Sequence, residues 1–160
     1  MKNAYMHLTN FSINKKSQKF RLPDESFMTD DTSHKQLFTS VLKQLLQQGR
    51  DIQPLLEQIK SLSQKTVIAL MPYIKNAYHC FISSNHKKSR SFQILGFDIL
   101  IDSDMHAWLV EINANPSLNV YVDTPLPNGD IEQNLSEVDK YVKTTLVSDT
   151  LRIVSMPFEE

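Results

Sequence analysis

Apolar residues are densest between positions 92 and 113, where two β-prone runs flank a short polar break. The first is Phe92-Gln93-Ile94-Leu95-Gly96-Phe97-Asp98-Ile99-Leu100-Ile101-Asp102 and the second Trp108-Leu109-Val110-Glu111-Ile112-Asn113, with Ser103-Asp104-Met105-His106 between them. Branched and aromatic residues in runs of this length predict an antiparallel hairpin over about 92–114. Both strands are largely apolar on both faces, so the hairpin is expected to be central and covered on each side. Asp98, Glu111 and Asn113 interrupt that burial.

On either side the apolar spacing changes to that of helices. Residues 4–10 read as a strand and residues 17–32 as an exposed polar loop. Ser33 with Gln36 forms a capping-box pattern, and Leu37, Val41 and Leu45 follow at helical spacing, predicting a helix over about 34–48 that Gly49 ends. Asp51 can cap a second helix over about 52–81, with Pro54 tolerated in its first turn and Pro72 expected to kink or end it. Its stripe, Leu55, Leu56, Ile59, Leu62, Thr66, Val67 and Leu70, is expected to be core. Residues 85–90 form a basic loop, and Pro125, Pro127 and Gly129 mark an irregular crossing. Ile131, Leu135, Val138, Val142 and Leu146 supply the stripe of a last helix, placed over about 132–150, before a flexible tail at 152–160. The whole reads as one α/β (α+β) domain over 1–151, with a largely antiparallel sheet packed by helices.

The chemistry of the hairpin depends on its register. Side chains alternate faces along a strand, so Glu111 and Asn113 share one. If Asp102 pairs with Ala107 across a four-residue loop, paired numbers sum to 209 and Asp98 lies opposite Glu111. A three-residue loop would set Asp98 opposite Val110 and send the two carboxylates to opposite faces. The first register is preferred because it gathers all three polar groups. Opposed carboxylates repel unless a cation sits between them. Two carboxylates and an amide oxygen on a rigid platform suit Mg²⁺, a hard cation that is completed by water and phosphate. Asn115-Pro116-Ser117 then breaks the strand beside that platform.

Bulk properties narrow the partners. The 160 residues are 41% hydrophobic and 22% charged, with a net charge of −1, which argues against nucleic acid or a membrane surface. Cys80 is the single cysteine, so no internal disulfide exists; it fits a reducing compartment and is expected in the core. The start carries no long apolar stretch, and no run approaches the roughly 20 apolar residues of a membrane span. A cytoplasmic monomer is expected. The five histidines show no metal-ligand spacing, and no Ser-His-Asp or Cys-His arrangement is evident.

Ile94-Leu95-Gly96-Phe97-Asp98-Ile99-Leu100, followed by Leu109-Val110-Glu111-Ile112-Asn113-Ala114-Asn115-Pro116-Ser117, resembles the C-terminal part of the tubulin tyrosine ligase-like family, which belongs to the ATP-grasp enzymes. His7-Leu8-Thr9-Asn10-Phe11-Ser12-Ile13-Asn14-Lys15 is a second matching block, and the stretch from Val138-Asp139 to Asp149-Thr150-Leu151 is similar to the glutamate-adding branch. The resemblance implies a C-terminal ATP-grasp subdomain using ATP and Mg²⁺, in which Asp98 binds one magnesium, Glu111 bridges two and Asn113 completes the cluster. It further implies that Thr9, Asn10, Lys15 and Val110 lie at the nucleotide. The implied activity is addition of glutamate to glutamate side chains in acidic tubulin tails through an acyl phosphate, at the cytoskeleton, including cilium or basal body. Because the first motif falls within ten residues of the start, the N-terminal ATP-clasping subdomains are expected to be missing and the fragment alone inactive. The alternative is a non-catalytic relative that keeps the fold and binds microtubules or nucleotide.

Overall fold

Asp51 starts the longest element of the chain: its Oδ1 accepts the Gln53 N–H at 3.0 Å and so satisfies one of the donors a helix leaves open at its N-terminus. In the computed structural model this helix, α3, runs over Gln53–Phe81 and does not end at Pro72. The structure describes residues 11–14, 17, 19–21, 23, 27–28, 32–81, 91–126 and 128–156. The strand expected at 4–10 lies outside them. The regular elements among the described residues are helices and antiparallel strands, the α+β class that the patterning predicts. The chain divides into two units, Gly49–Leu118 with Asp149–Glu160, and Met1–Gln48 with Asn119–Ser148.

In the first of these, Leu55 of α3 is fully buried and Leu56, Ile59, Leu62, Thr66 and Leu70 are half-buried along the expected stripe, whereas Val67, expected there too, is exposed. The helix packs on β2 (Ala107–Asn113), which pairs antiparallel with β1 (Gly96–Ile101). Gln58 fastens the two together. Its Nε2 donates to the Met105 carbonyl at 3.2 Å, and its Oε1 accepts the Ala107 N–H at 3.0 Å, so one side-chain amide satisfies both backbone groups. Phe97, Ile99, Ile101, Leu109 and Ile112 are half-buried and Ala107 buried. The opposite face is open: Leu100, Trp108 and Val110 are exposed, Val110 by 67%. The hairpin is therefore not covered on both faces as its composition suggests; it forms a two-stranded sheet of its own, covered on one. Cys80, expected in the core, is exposed on the last turn of α3.

In the other unit, α1 is a single turn at Phe11–Asn14, and α2 spans Phe38–Gln47 and begins later than the capping box at Ser33 suggests. The Gln36 amide donates to the Ser33 carbonyl at 2.8 Å, spending the interaction on a bend instead of a cap. Gly49 follows the helix with φ 77°, the left-handed conformation that ends a helix without a Cβ penalty. Residues 131–135, read as the start of the last helix, are instead strand β4 (Ile131–Leu135), paired antiparallel with β3 (Tyr121–Pro125). Leu126 and Asp130 close the turn between them, where Gly129 adopts φ 90°. The helix α4 starts only at Glu137, after Ser136, and runs to Ser155, so residues 152–155 of the expected tail are helical. Leu37, Val122 and Val138 are the buried apolar residues of this unit among the described residues.

Candidate functional site

The hairpin turn sets the geometry of the site. Met105 donates to the Asp102 carbonyl and Asp102 to the His106 carbonyl, both at 3.1 Å, which closes a three-residue loop over 103–105. Met105 takes the left-handed conformation that such a loop requires, with φ 64°. Asp102 braces it: Oδ1 accepts the N–H groups of Asp104 and His106, and Oδ2 accepts Trp108 Nε1 at 2.7 Å. The Trp108 hydrogen bond, followed by that from His106, holds the Asp102 carboxyl below its ordinary range.

This is the loop length that would separate the carboxylates, and near the turn the register follows it: Ile101 pairs with Ala107, Leu100 with Trp108 and Ile99 with Leu109. The register then shifts by one between Asp98 and Ile99, so that Asp98 pairs with Glu111, Phe97 with Ile112 and Gly96 with Asn113. Val110 is the extra residue. A β-bulge of this kind sets two residues against one, and Val110 and Glu111 are both exposed, on the same face as Trp108. The bulge reverses the phase of β2. Without it Glu111 would lie on the α3-covered face with Ala107 and Leu109; with it, Asp98, Glu111 and Asn113 share the open face. One sequence signal of the bulge exists: the covered apolar positions step from 107 to 109 and then to 112, a break in period two.

Asp98 and Glu111 are both exposed, and Asn113 is half-buried beside them. Directly opposed Cβ atoms are roughly 4.5–5.5 Å apart in such a pair. Among the described residues no group of three or more His, Cys, Asp or Glu side chains converges, so any cation held here takes two carboxylates and the Asn113 amide oxygen. That donor set is all oxygen, carries two negative charges and faces solvent, which fits Mg²⁺ with several of its waters kept. Val110 adjoins the carboxylate pair. Thr9, Asn10 and Lys15 lie outside the described residues.

A second charged cluster, not anticipated from the sequence, sits at the start of α4. Asp139 is 7% exposed; it forms ion pairs with Lys35 and, at 3.0 Å, with Lys143, and accepts the Ser136 hydroxyl at 2.6 Å. Lys143 also donates to the Asn119 carbonyl. Burial pushes the Asp139 carboxyl up, but hydrogen bonds from Lys35, Ser136 and Lys143 outweigh it and hold the group below its ordinary value. Ser136-Glu137-Val138-Asp139 is an N-terminal capping pattern whose carboxylate has been recruited to the lysines.

The sequence matches the Tubulin-tyrosine ligase family over residues 1–160, and the chain belongs to that family. It is 40% identical over 152 residues to the tubulin polyglutamylase TTLL11 of Mus musculus, covering 95% of this chain and 20% of that protein. It is also 36% identical over 151 residues to a probable beta-tubulin polyglutamylase of Tetrahymena thermophila, covering 94% and 11%. The tubulin polyglutamylase TTLL5 of Homo sapiens is 34% identical over 154 residues, covering 96% and 11%. The chain thus spans between about a tenth and a fifth of the length of these relatives.

Proposed function

We propose that this chain carries the metal-binding end of an ATP- and Mg²⁺-dependent amide-forming ligase that adds glutamate to glutamate side chains of acidic tubulin tails. The observation that carries the reading is the bulged register that sets Asp98 opposite Glu111, with Asn113 on the same face. Family membership and relatives named tubulin polyglutamylases support the reaction class and the substrate. Asp98 would hold one Mg²⁺, Glu111 would bridge two and Asn113 would complete the set. Bound there, the ions supply charge neutralisation for phosphoryl transfer to a carboxylate. The chain's own part is positioning, since such a transfer needs aligned groups more than a nucleophilic side chain. Thr9, Asn10, Lys15 and Val110 would contact the nucleotide. In the overall reaction the tail carboxylate is phosphorylated by ATP, and the amine of the incoming glutamate then displaces phosphate, leaving an amide. Such an enzyme would work on microtubules, those of cilia and basal bodies included.

The test is ATP-dependent incorporation of glutamate into tubulin by the full-length protein, compared with Glu111→Gln and Asp98→Asn. An amide cannot supply the bridging charge, so both variants are expected to lose incorporation. Activity of Glu111→Gln at the wild-type level would overturn the assignment.

A further inference from the structure

The open end of the hairpin, where Asn113 sits, is held by two contacts outside the strand pairing. Gly96 pairs with Asn113, and a Cβ placed on Gly96 would lie 3.1 Å from Pro116 Cβ and 3.5 Å from Asn113 Cβ. Pro116 therefore occupies the space a side chain at position 96 would need. Three residues before Gly96, the Gln93 amide donates to the Ala114 carbonyl at 2.7 Å. The chain that follows Asn113 is thus tied at Ala114 to Gln93, just before β1, and meets Gly96 of β1 at Pro116, where a two-stranded ribbon would otherwise fray. Pro116 adds stiffness, because its ring fixes its own φ and restricts Asn115 before it.

We infer that Gly96, Gln93 and Pro116 form a clasp whose task is to position Asn113 as the third oxygen donor beside Asp98 and Glu111. This rests on the metal reading given above. None of the three residues need touch the ion. Pro116 lines an open cleft of about 440 Å³ on the protein surface, not a packed core, so a methyl group at position 96 displaces it by a few tenths of an ångström without demanding that the fold rearrange.

Cation chemistry gives this displacement a signature. Mg²⁺ demands near-ideal octahedral geometry at short range, whereas Ca²⁺ accepts longer and less regular ligand sets. A shifted donor should therefore cost Mg²⁺ more than Ca²⁺, while a general loss of fold would weaken both alike.

The experiment is calorimetric titration of Mg²⁺ and of Ca²⁺ into the full-length protein saturated with a non-hydrolysable ATP analogue. Gly96→Ala is expected to weaken Mg²⁺ binding about tenfold, the size of loss typical for residues that orient a ligand, and Ca²⁺ binding by less than about threefold. Pro116→Gly, which removes the ring that meets position 96 and restricts Asn115, should show the same preferential loss of Mg²⁺ affinity. Gln93→Leu, which takes away one hydrogen bond and introduces no clash, should show the same preferential loss if Gly96→Ala fails to fold. Equal losses for the two cations in these variants, or unchanged Mg²⁺ affinity in Gly96→Ala and Gln93→Leu, would overturn the clasp. Glu111→Gln serves as the control. If it leaves Mg²⁺ affinity unchanged, the metal reading itself fails; if it abolishes binding while the clasp variants bind normally, only the positioning role does.

Discussion

Removing one charge from the opposed pair on the hairpin tests the register directly. Among the described residues neither the Asp98 nor the Glu111 carboxylate has a hydrogen-bond or ion-pair partner, and both residues are exposed. Glu111→Gln therefore sacrifices no partner among the described residues, keeps the side-chain volume and cancels a like-charge repulsion. For unit charges about 4 Å apart in water the repulsion is about 1 kcal/mol, and measured cross-strand pairs fall at roughly 0.2–1 kcal/mol. The metal-free variant should thus be as stable as wild type or more stable, by at most about 1 kcal/mol. For a domain of this size that is an upward shift in Tm of at most about 2–4 °C. The gain should vanish near 1 M NaCl, where the screening length is about 3 Å. Thermal unfolding by circular dichroism, with EDTA and at low and high salt, reads all of this. Adding Mg²⁺ with nucleotide should reverse the order, since only wild type gains binding energy. A metal-free loss of more than about 1 kcal/mol would refute the reasoning: Glu111 would then be a structural hydrogen-bond acceptor and not one of two opposed free carboxylates.

Three further expectations concern other parts of the chain. Asp139→Asn removes the carboxylate that Lys35 and Lys143 share and should destabilise by about 1–3 kcal/mol in urea titration. Because the folded-state carboxyl lies below its ordinary value, its stabilisation is fully present above the unfolded pKa of about 3.9 and is lost as pH falls through the lower folded value, so wild type and variant should converge only below about pH 4. Gly49→Ala meets no atom within 4 Å and suffers only the backbone cost of φ 77°, about 1–2 kcal/mol, with Gly49→Asn costing less; equal stability of the alanine variant would remove Gly49 as the helix terminator. Asn10→Ala should raise the ATP concentration needed for half-maximal glutamate incorporation and leave Tm unchanged, and an unaltered ATP requirement would return Asn10 to a turn role.

The residues of the candidate site are legible in the sequence, because Asp98, Glu111 and Asn113 are polar interruptions of otherwise apolar β-prone runs and residue identity alone carries that contrast. So are the two stops around position 50: Gly49 and Asp51 act through their own backbone freedom and side chain, which are local properties. The register is not local. A three-residue loop closed by Met105 in a left-handed conformation depends on Asp102 bracing it, and methionine gives no advance sign of that geometry. Asp98 and Glu111 still meet, but by another route than the four-residue loop: the bulge at Val110 absorbs the odd residue. That bulge is selected by packing, since it lets Leu109 and Ile112 both face α3 while Val110 and Glu111 face solvent. The same limit explains residues 131–135, where Ile131 and Leu135 fit a helical stripe as well as a strand. Only the pairing of Ile131–Leu135 with Tyr121–Pro125 decides between them, and a partner ten residues away lies beyond what a periodic pattern records. Lys35 and Asp139 likewise stand 104 positions apart, and no local pattern connects them; only the folded chain brings a buried carboxylate to the amines that keep it ionised.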